Sequence, residues 1–120
     1  MSNRVIRIAD IAPSLPPLHY DLQSRRILND AEVGWFKISH VTLQPTGHSD
    51  THMHKGAEQL YLVLKGEMGV NIEGRELRVK PGEAVLVKPD EKHRNYNVFP
   101  GETDYVVVTG NVPSAAERRQ

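Results

Sequence analysis

The sequence contains no cysteine, so it can form neither a disulfide framework nor a zinc site built from thiolates. This absence fits a reducing compartment, and we expect a cytoplasmic protein. Fifteen basic and fifteen acidic residues give a formal net charge of zero. This balance argues against nucleic acid as a partner recognised through bulk charge. No apolar run reaches the length of a membrane span or follows the N-terminal charges as in a secretory signal, so we expect no membrane partner.

Helix signals are also scarce, whereas glycine and proline recur throughout the 120 residues. Between them lie short runs rich in Val, Leu, Ile and Tyr, a pattern typical of an all-β sandwich or barrel. We predict one domain over 1–120, with a barrel core at about 33–110, an N-terminal arm and edge strands at 1–32, and a tail at 111–120. The tail contains a capping signal at 114–117, which predicts a short helical turn or a frayed end.

About nine short strands are predicted, which leaves room for two packed antiparallel sheets closed into a jelly-roll barrel. The proline-rich stretch 12–18 is an extended arm, and a turn at 45–47 follows the third strand. The predicted strands are 5–8, 23–28, 34–44, 59–64, 68–72, 76–80, 84–87, 93–99 and 105–109.

The stretch 47–66 carries the strongest chemical signal. His52 and His54 are two residues apart and share one face of an extended chain. A turn-like Lys-Gly-Ala can fold the chain back and place Glu58 beside them, and His93 can close the set from a later strand. Three imidazoles and a carboxylate suit Fe, Mn, Co, Ni, Cu or Zn and match Ca or Mg poorly. A His-x-His pair alone is more often surface polarity, so the prediction depends on all four residues occurring together.

These residues resemble the motifs of the cupin family. The first motif, Gly, His-x-His, Glu, Gly, corresponds to Gly47, His52-Met53-His54, Glu58 and Gly66. The second corresponds to Gly82, an apolar run at 84–87, Pro89, His93 and Asn97, and the resemblance spans roughly 36–108.

The sequence departs from the family pattern in three turns. The gap from Gly47 to His52 is one residue short, the gap from Glu58 to Gly66 is one residue long, and the glycine expected after Pro89 is absent. The resemblance implies a jelly-roll barrel with one divalent transition metal ion (Fe, Mn, Ni, Zn, Co or Cu) at its centre, held by His52, His54, Glu58 and His93, and often a homodimer.

Strand alternation predicts the surroundings of this site. If His93 points inward, Asn95 and Asn97 do as well and could bind a ligand, although a turn role is the favoured reading of Asn97. Leu60 and Leu62 share the face of Glu58 and would line the barrel. Tyr61 and Val63 would then point outward, to a dimer surface or under a neighbouring strand.

Two further residues are candidates for catalysis. His48, four residues before His52, is either an acid–base group at the cavity mouth or an exposed loop histidine. Lys37 could give the cavity positive charge and favour an anionic substrate. His40 is interpreted as structural, and His19 as a residue that packs the N-terminal arm.

Two functions follow as hypotheses. The first is a metal-dependent enzyme, dioxygenase-like or isomerase/lyase-like, that acts on a small, oxygen-rich metabolite chelated by the metal, with an anionic metabolite as the favoured case. The second is a non-catalytic module that binds or senses a sugar or carboxylate and retains the metal. A purely structural barrel is the least favoured reading, because all four ligand positions are filled.

Overall fold

A computed structural model describes residues 5–28 and 36–111. Within these residues the chain forms a short 3₁₀ turn at Ile8–Asp10 and then eight strands. The strands are β1 (His19–Leu28), β2 (Phe36–Ser49), β3 (Ala57–Lys65), β4 (Met68–Ile72), β5 (Arg75–Val79), β6 (Ala84–Val87), β7 (His93–Asn97) and β8 (Thr103–Asn111).

All strand pairs are antiparallel, and together they form a nearly closed barrel. The hydrogen-bonded order is β5-β4-β7-β2-β8-β3-β6. Strand β1 lies outside this order and pairs with β2. This arrangement confirms the predicted all-β jelly-roll barrel. In the part of the chain that the structure describes, no helix is long and apolar enough to cross a membrane.

The longest strand, β2, is the corner of the barrel. Its first half pairs with β8 from Phe36 to Leu43, and its last residues reach β7 through His48 and Tyr96. The predicted turn at 45–47 is instead an irregularity inside this strand, where the pairing with β1 jumps from Leu43 to His48. Glycine is needed at Gly47, where a Cβ would lie 2.6 Å from the backbone oxygen of Asp21.

One end of the barrel is filled with tightly packed apolar side chains. Leu43, Val63, Met68 and Val70 are fully buried there. Burial of each such side chain contributes roughly 1.5–3 kcal/mol. Strands β2 and β3 continue past this packed layer to the other end of the barrel, where inward positions carry polar residues such as Lys37 and Gln59. The barrel is therefore packed at one end and holds a cavity at the other.

The predicted strands differ from the structure at several ends. Strands 68–72 and 84–87 are confirmed, whereas the predicted edge strand at 5–8 is wrong: residues 5–7 are irregular and the 3₁₀ turn follows. β1 begins four residues earlier than predicted, at His19. The proline-rich arm is pinned to it by a bridge between Ser14 and Ser24. The predicted C-terminal turn lies outside the described residues.

Candidate metal centre

Two chain segments bring three histidines together at the open end. An isolated antiparallel bridge joins His52 to His93, with reciprocal backbone hydrogen bonds of 2.9 and 2.8 Å. His54 follows His52 by two residues, so it projects to the same side. The segment after β2 is thereby laid against the first residue of β7.

The three imidazoles form a compact cluster. Their ring centroids lie 5.0 Å apart for His52 and His54, 4.4 Å for His52 and His93, and 5.4 Å for His54 and His93. One ring nitrogen from each lies within 4.8 Å of the others, so the group could hold a metal ion. His93 is fully buried, and the other two are half-buried.

Backbone carbonyls fix which nitrogen is free in two of the three rings. Nδ1 of His52 lies 2.7 Å from the carbonyl oxygen of Asp50, and Nδ1 of His93 lies 3.0 Å from that of Glu91. A carbonyl oxygen only accepts, so Nδ1 donates in both rings, and Nε2 of each neutral ring carries a lone pair. Nε2 of His54 is buried without a partner among the described residues. A carbonyl that orients a ring in this way is a common support of metal-binding histidines.

The electrostatics favour neutral rings. Burial, with a smaller contribution from His52, lowers the pKa of His54 to about 4. Burial also lowers the pKa of His93 below its usual value of 6.5. At neutral pH these rings are therefore unprotonated, the state in which an imidazole binds a metal.

Glu58 does not join the cluster, and the predicted orientation of β3 is reversed. Glu58 is exposed, whereas Gln59, Tyr61 and Val63 alternate as buried residues on the inward face of the strand. The turn at Lys55 and Gly56 brings the chain into β3 one residue out of the predicted phase. The residue delivered to the histidines is consequently Gln59.

The side chain of Gln59 is held in one orientation. Its Nε2 donates to Oγ1 of Thr109 at 3.0 Å, and its Oε1 accepts from the hydroxyl of Tyr61 at 2.8 Å. The same Oε1 lies 3.2 Å from Nε2 of His93. Both of these atoms are acceptors when the ring is neutral with its proton on Nδ1, so they face each other without a proton between them. A cation satisfies such a pair, and the donor set therefore fits a transition metal.

The sequence contained a signal for Gln59. Six residues separate Gln59 from Gly66, which is the cupin spacing, whereas seven separate Glu58 from Gly66. The predicted ligand, Glu58, is therefore one residue away from the residue that lies beside the histidines.

His52 and His54 open onto a cavity of about 360 Å³. Residues 16–19 of the N-terminal arm border it, and Tyr61, Tyr105 and Val107 form part of its apolar wall. Lys37 lines the cavity, as expected from the sequence, while its role in catalysis stays a prediction.

Two cavity residues were missed by sequence reasoning. His19 lies with its ring 5.4 Å from that of His52, and its Nδ1 is 2.7 Å from the carbonyl oxygen of Pro17. Arg26 lines the cavity from β1. Neither residue belongs to a motif, and only the pairing of β1 with β2 brings them to the site.

The predicted pocket leucines and His48 lie elsewhere. Leu60 and Leu62 are 39% and 37% exposed on the outside of the barrel, so their predicted place in the pocket is wrong. His48 stacks on Tyr20, its Nδ1 lies 2.9 Å from the carbonyl oxygen of Thr46, and it does not line the cavity. Tyr61 and Val63, predicted outward, are buried.

The two predicted pocket asparagines are structural in their contacts. Asn95 is fully buried, where its amide donates to the hydroxyl of Tyr105 and its oxygen accepts from Ser49. Asn97 donates to the carbonyl oxygens of Gln44 and Gly101. Asn95 therefore contacts the cavity-wall residue Tyr105 rather than lining the cavity itself, and Asn97 has the turn role that was its favoured reading.

Comparison with known proteins agrees with this architecture. The chain is 27% identical over 104 residues to the tetracenomycin polyketide synthase protein TcmJ of Streptomyces glaucescens, which covers 84% of this chain and 62% of that protein. A predicted oxalate decarboxylase from Thermotoga maritima superposes with a TM-score of 0.82 at 18% identity, covering 90% of this chain and 99% of the other. The polyketide cyclase RemF from Streptomyces resistomycificus superposes with a TM-score of 0.76 at 24% identity, covering 96% and 88%. Residues 39–109, more than half of the chain, match the cupin domain, and the chain belongs to the cupin family.

Proposed function

We propose that this cupin is a metal-dependent enzyme that acts on a small, oxygen-rich metabolite bound at His52, His54 and His93. The observation that carries the proposal is the set of three clustered rings whose free nitrogens lie within 4.8 Å of one another. Nε2 of His54, which is buried without a partner among the described residues, adds to it, because a buried polar atom without a partner destabilises the fold unless something binds it.

Gln59 is the fourth donor in this proposal. Tyr61 and Thr109 hold its amide so that Oε1 points to His93. The donor set is then three neutral imidazoles and a neutral amide oxygen. Unlike a carboxylate, the amide leaves the charge of a divalent ion undiminished, which strengthens the pull on electron-rich oxygens of a ligand.

A divalent ion at this centre would act as a Lewis acid on a chelated carbonyl, or support oxygen chemistry if it is iron. The chain supplies a small pocket for the ligand: about 360 Å³ is near the lower end for small-molecule sites. Its tyrosine and valine wall excludes water from one side of the ligand. The names of the similar proteins, a polyketide synthase protein, a polyketide cyclase and a predicted oxalate decarboxylase, all refer to oxygen-rich compounds and support this substrate class.

Metal titration tests the proposal. Apo protein should take up one transition metal ion per chain, and His54→Ala should lose most of this affinity. Glu58→Ala is the matched control. This carboxylate is exposed on the outer face of β3, so its removal should leave metal affinity unchanged. Failure of the wild-type protein to bind Zn, Mn, Fe, Co, Ni or Cu would sink the proposal.

Catalysis is tested on the metal-loaded protein. Turnover of a 1,3-dicarbonyl, a hydroxy acid or a sugar can be followed by NMR in D₂O, where enolisation exchanges the hydrogen beside the carbonyl for deuterium. Oxygen consumption by the iron form separates a dioxygenase from an isomerase or lyase. His54→Ala should abolish either activity.

A binding or sensing module is the second candidate. It is favoured by one observation: within the described residues, no aspartate or glutamate lines the cavity to act as a general base. Ligands that raise the melting temperature of the metal-loaded protein and are recovered unchanged would establish this alternative.

A homodimer is proposed as the assembly. The reversal of β3 leaves Leu60, Leu62 and Leu64 exposed beside Leu86 of β6 on the outside of the barrel. On the same outer face, Nδ1 of His40 is buried without a partner among the described residues. Light scattering after size exclusion should give twice the chain mass for the wild type and a monomer for Leu62→Glu, while Lys80→Glu, just after β5, should stay dimeric.

A further inference from the structure

We infer that Arg26 and Lys37 form a subsite for an acidic group, so that the ligand is an anion with metal-binding oxygens at one end and a carboxylate or phosphate at the other. This inference rests on the proposed metal centre and adds the substrate class. It begins from the position of the two cationic side chains on the cavity wall.

Strand register places the two cations on one concave surface with Gln59. Lys37 pairs with Thr109, which pairs with Gln59, so the three form one row across β2, β8 and β3. Arg26 pairs with Ser39 in the next row, two residues further along β2. At about 4.8 Å between strands, the backbones of Lys37 and Gln59 lie about 10 Å apart. A small bifunctional metabolite can span such a distance.

The wall around this pair is polar but carries no compensating negative charge. Ser24 and Ser39 are buried beside the two cations. Among the described residues, no acidic side chain lines the cavity, and neither Arg26 nor Lys37 forms an ion pair. Elsewhere the chain does pair its charges, as in the 3.0 Å contact of Arg78 with Glu67. The cavity is therefore a positive region in a chain whose formal net charge is zero.

The amide at Gln59 enlarges this imbalance. A carboxylate there would cancel one charge of a divalent ion, whereas Gln59 cancels none. With the ion bound, the cavity would hold an excess of positive charge that only the ligand can offset. Arginine also offers paired N–H groups that match a carboxylate or phosphate. Arg26 is exposed and Lys37 half-buried, and both lie on the cavity side of adjacent strands, where a ligand can reach them.

Binding of matched small acids to the zinc-loaded protein tests the inference by calorimetry. Malonate and malonamate differ in one negative charge, and phosphonoacetate replaces one carboxylate of malonate with a phosphonate. Malonate or phosphonoacetate should bind at least tenfold more tightly than malonamate, and whichever binds better identifies the acidic group. Arg26→Gln and Lys37→Gln should each weaken that binding roughly tenfold, since a hydrogen bond to a charged group contributes about that factor.

Arg75→Gln and Lys80→Gln are the controls, because these exposed cations on or beside β5 lie outside the cavity and carry the same charge change. Zinc stoichiometry is measured for every variant and should remain at one. Equal binding of malonate and malonamate, no binding of either diacid at millimolar concentration, or equal losses in the control variants would overturn the inference. If the wild type takes up no zinc, the metal proposal itself has failed, so the two failures are distinguishable.

Discussion

The two ends of the barrel share strands but differ in their inward-facing residues, which are apolar at one end and mostly polar at the other. At the closed end, Leu43, Val63, Met68 and Val70 are fully buried in a dense apolar layer. At the open end, β2 and β3 present Lys37 and Gln59 to a cavity, and Gln59 lies 3.2 Å from the ring of His93. Alternation along each strand is unchanged, so only residue type separates the two regions. The difference teaches that stability and ligand binding can be altered separately in this fold.

The largest effect on folding is expected from Leu43→Ala at the closed end. Removing a fully buried leucine from a packed layer leaves a cavity and costs about 3 kcal/mol of unfolding free energy, within a range of about 2–5. Urea denaturation measures this loss. Metal stoichiometry of the folded fraction should stay at one ion per chain, and its disappearance would show that the two ends are coupled.

At the open end, His54→Ala should separate metal binding from folding. Saturating metal at about a hundred times its dissociation constant should stabilise the wild type by about 2.7 kcal/mol. The variant should lose this gain while its apo form stays close to the wild-type apo form, because Nε2 of His54 makes no hydrogen bond to the residues described in the structure. Thermal unfolding with and without Zn²⁺ measures both quantities. A strongly destabilised apo variant would instead make His54 a structural residue.

The two faces of β3 sharpen the comparison. Gln59→Leu should weaken metal binding about tenfold, the lower end of what the loss of a supporting group costs. Glu58→Gln should leave metal affinity unchanged, because that side chain is exposed on the outer face. Competition with a chelator measures both affinities. A loss of metal affinity in Glu58→Gln but not in Gln59→Leu would show that Glu58, and not Gln59, is the ligand.

A smaller effect is expected from pH. Because the pKa of His54 falls from 6.5 when unfolded to about 4 when folded, the unfolded chain binds the extra proton first as pH falls. The stability of the apo protein should therefore drop between pH 6.5 and 4 and level off below that. The slope should be modest, since His54 is only half-buried, and His54→Gln should flatten it. Urea midpoints across this range measure it, and a midpoint that rises on acidification would contradict the neutral cluster.

The sequence was sufficient for the fold and for the three histidines. Turn residues between short apolar runs predicted the barrel, and the two-residue spacing of His52 and His54 placed both on one side. The sequence was insufficient to predict which residues of a strand face inward when a turn precedes the strand. The chain passes Gly56 at a φ of +71° and enters β3 with Gln59 inward, and no alternation rule continues through such a turn.

Contacts between strands were the second limit. Arg26 reaches the cavity because it pairs with Ser39, and His19 because the arm passes the cavity before entering β1. Pairing partners that are distant in sequence cannot be read from local patterns. The same limit explains Asn95, whose alternation was predicted correctly but whose neighbours, Ser49 and Tyr105, occupy its polar atoms.

X-ray absorption at the zinc edge, on protein loaded with one equivalent of Zn²⁺, tests the central claim most directly. The account predicts a shell containing three imidazole rings and at least one oxygen donor, and a reduced oxygen contribution in Gln59→Leu. A spectrum with fewer than three imidazoles, or one that changes in Glu58→Gln but not in Gln59→Leu, would contradict it.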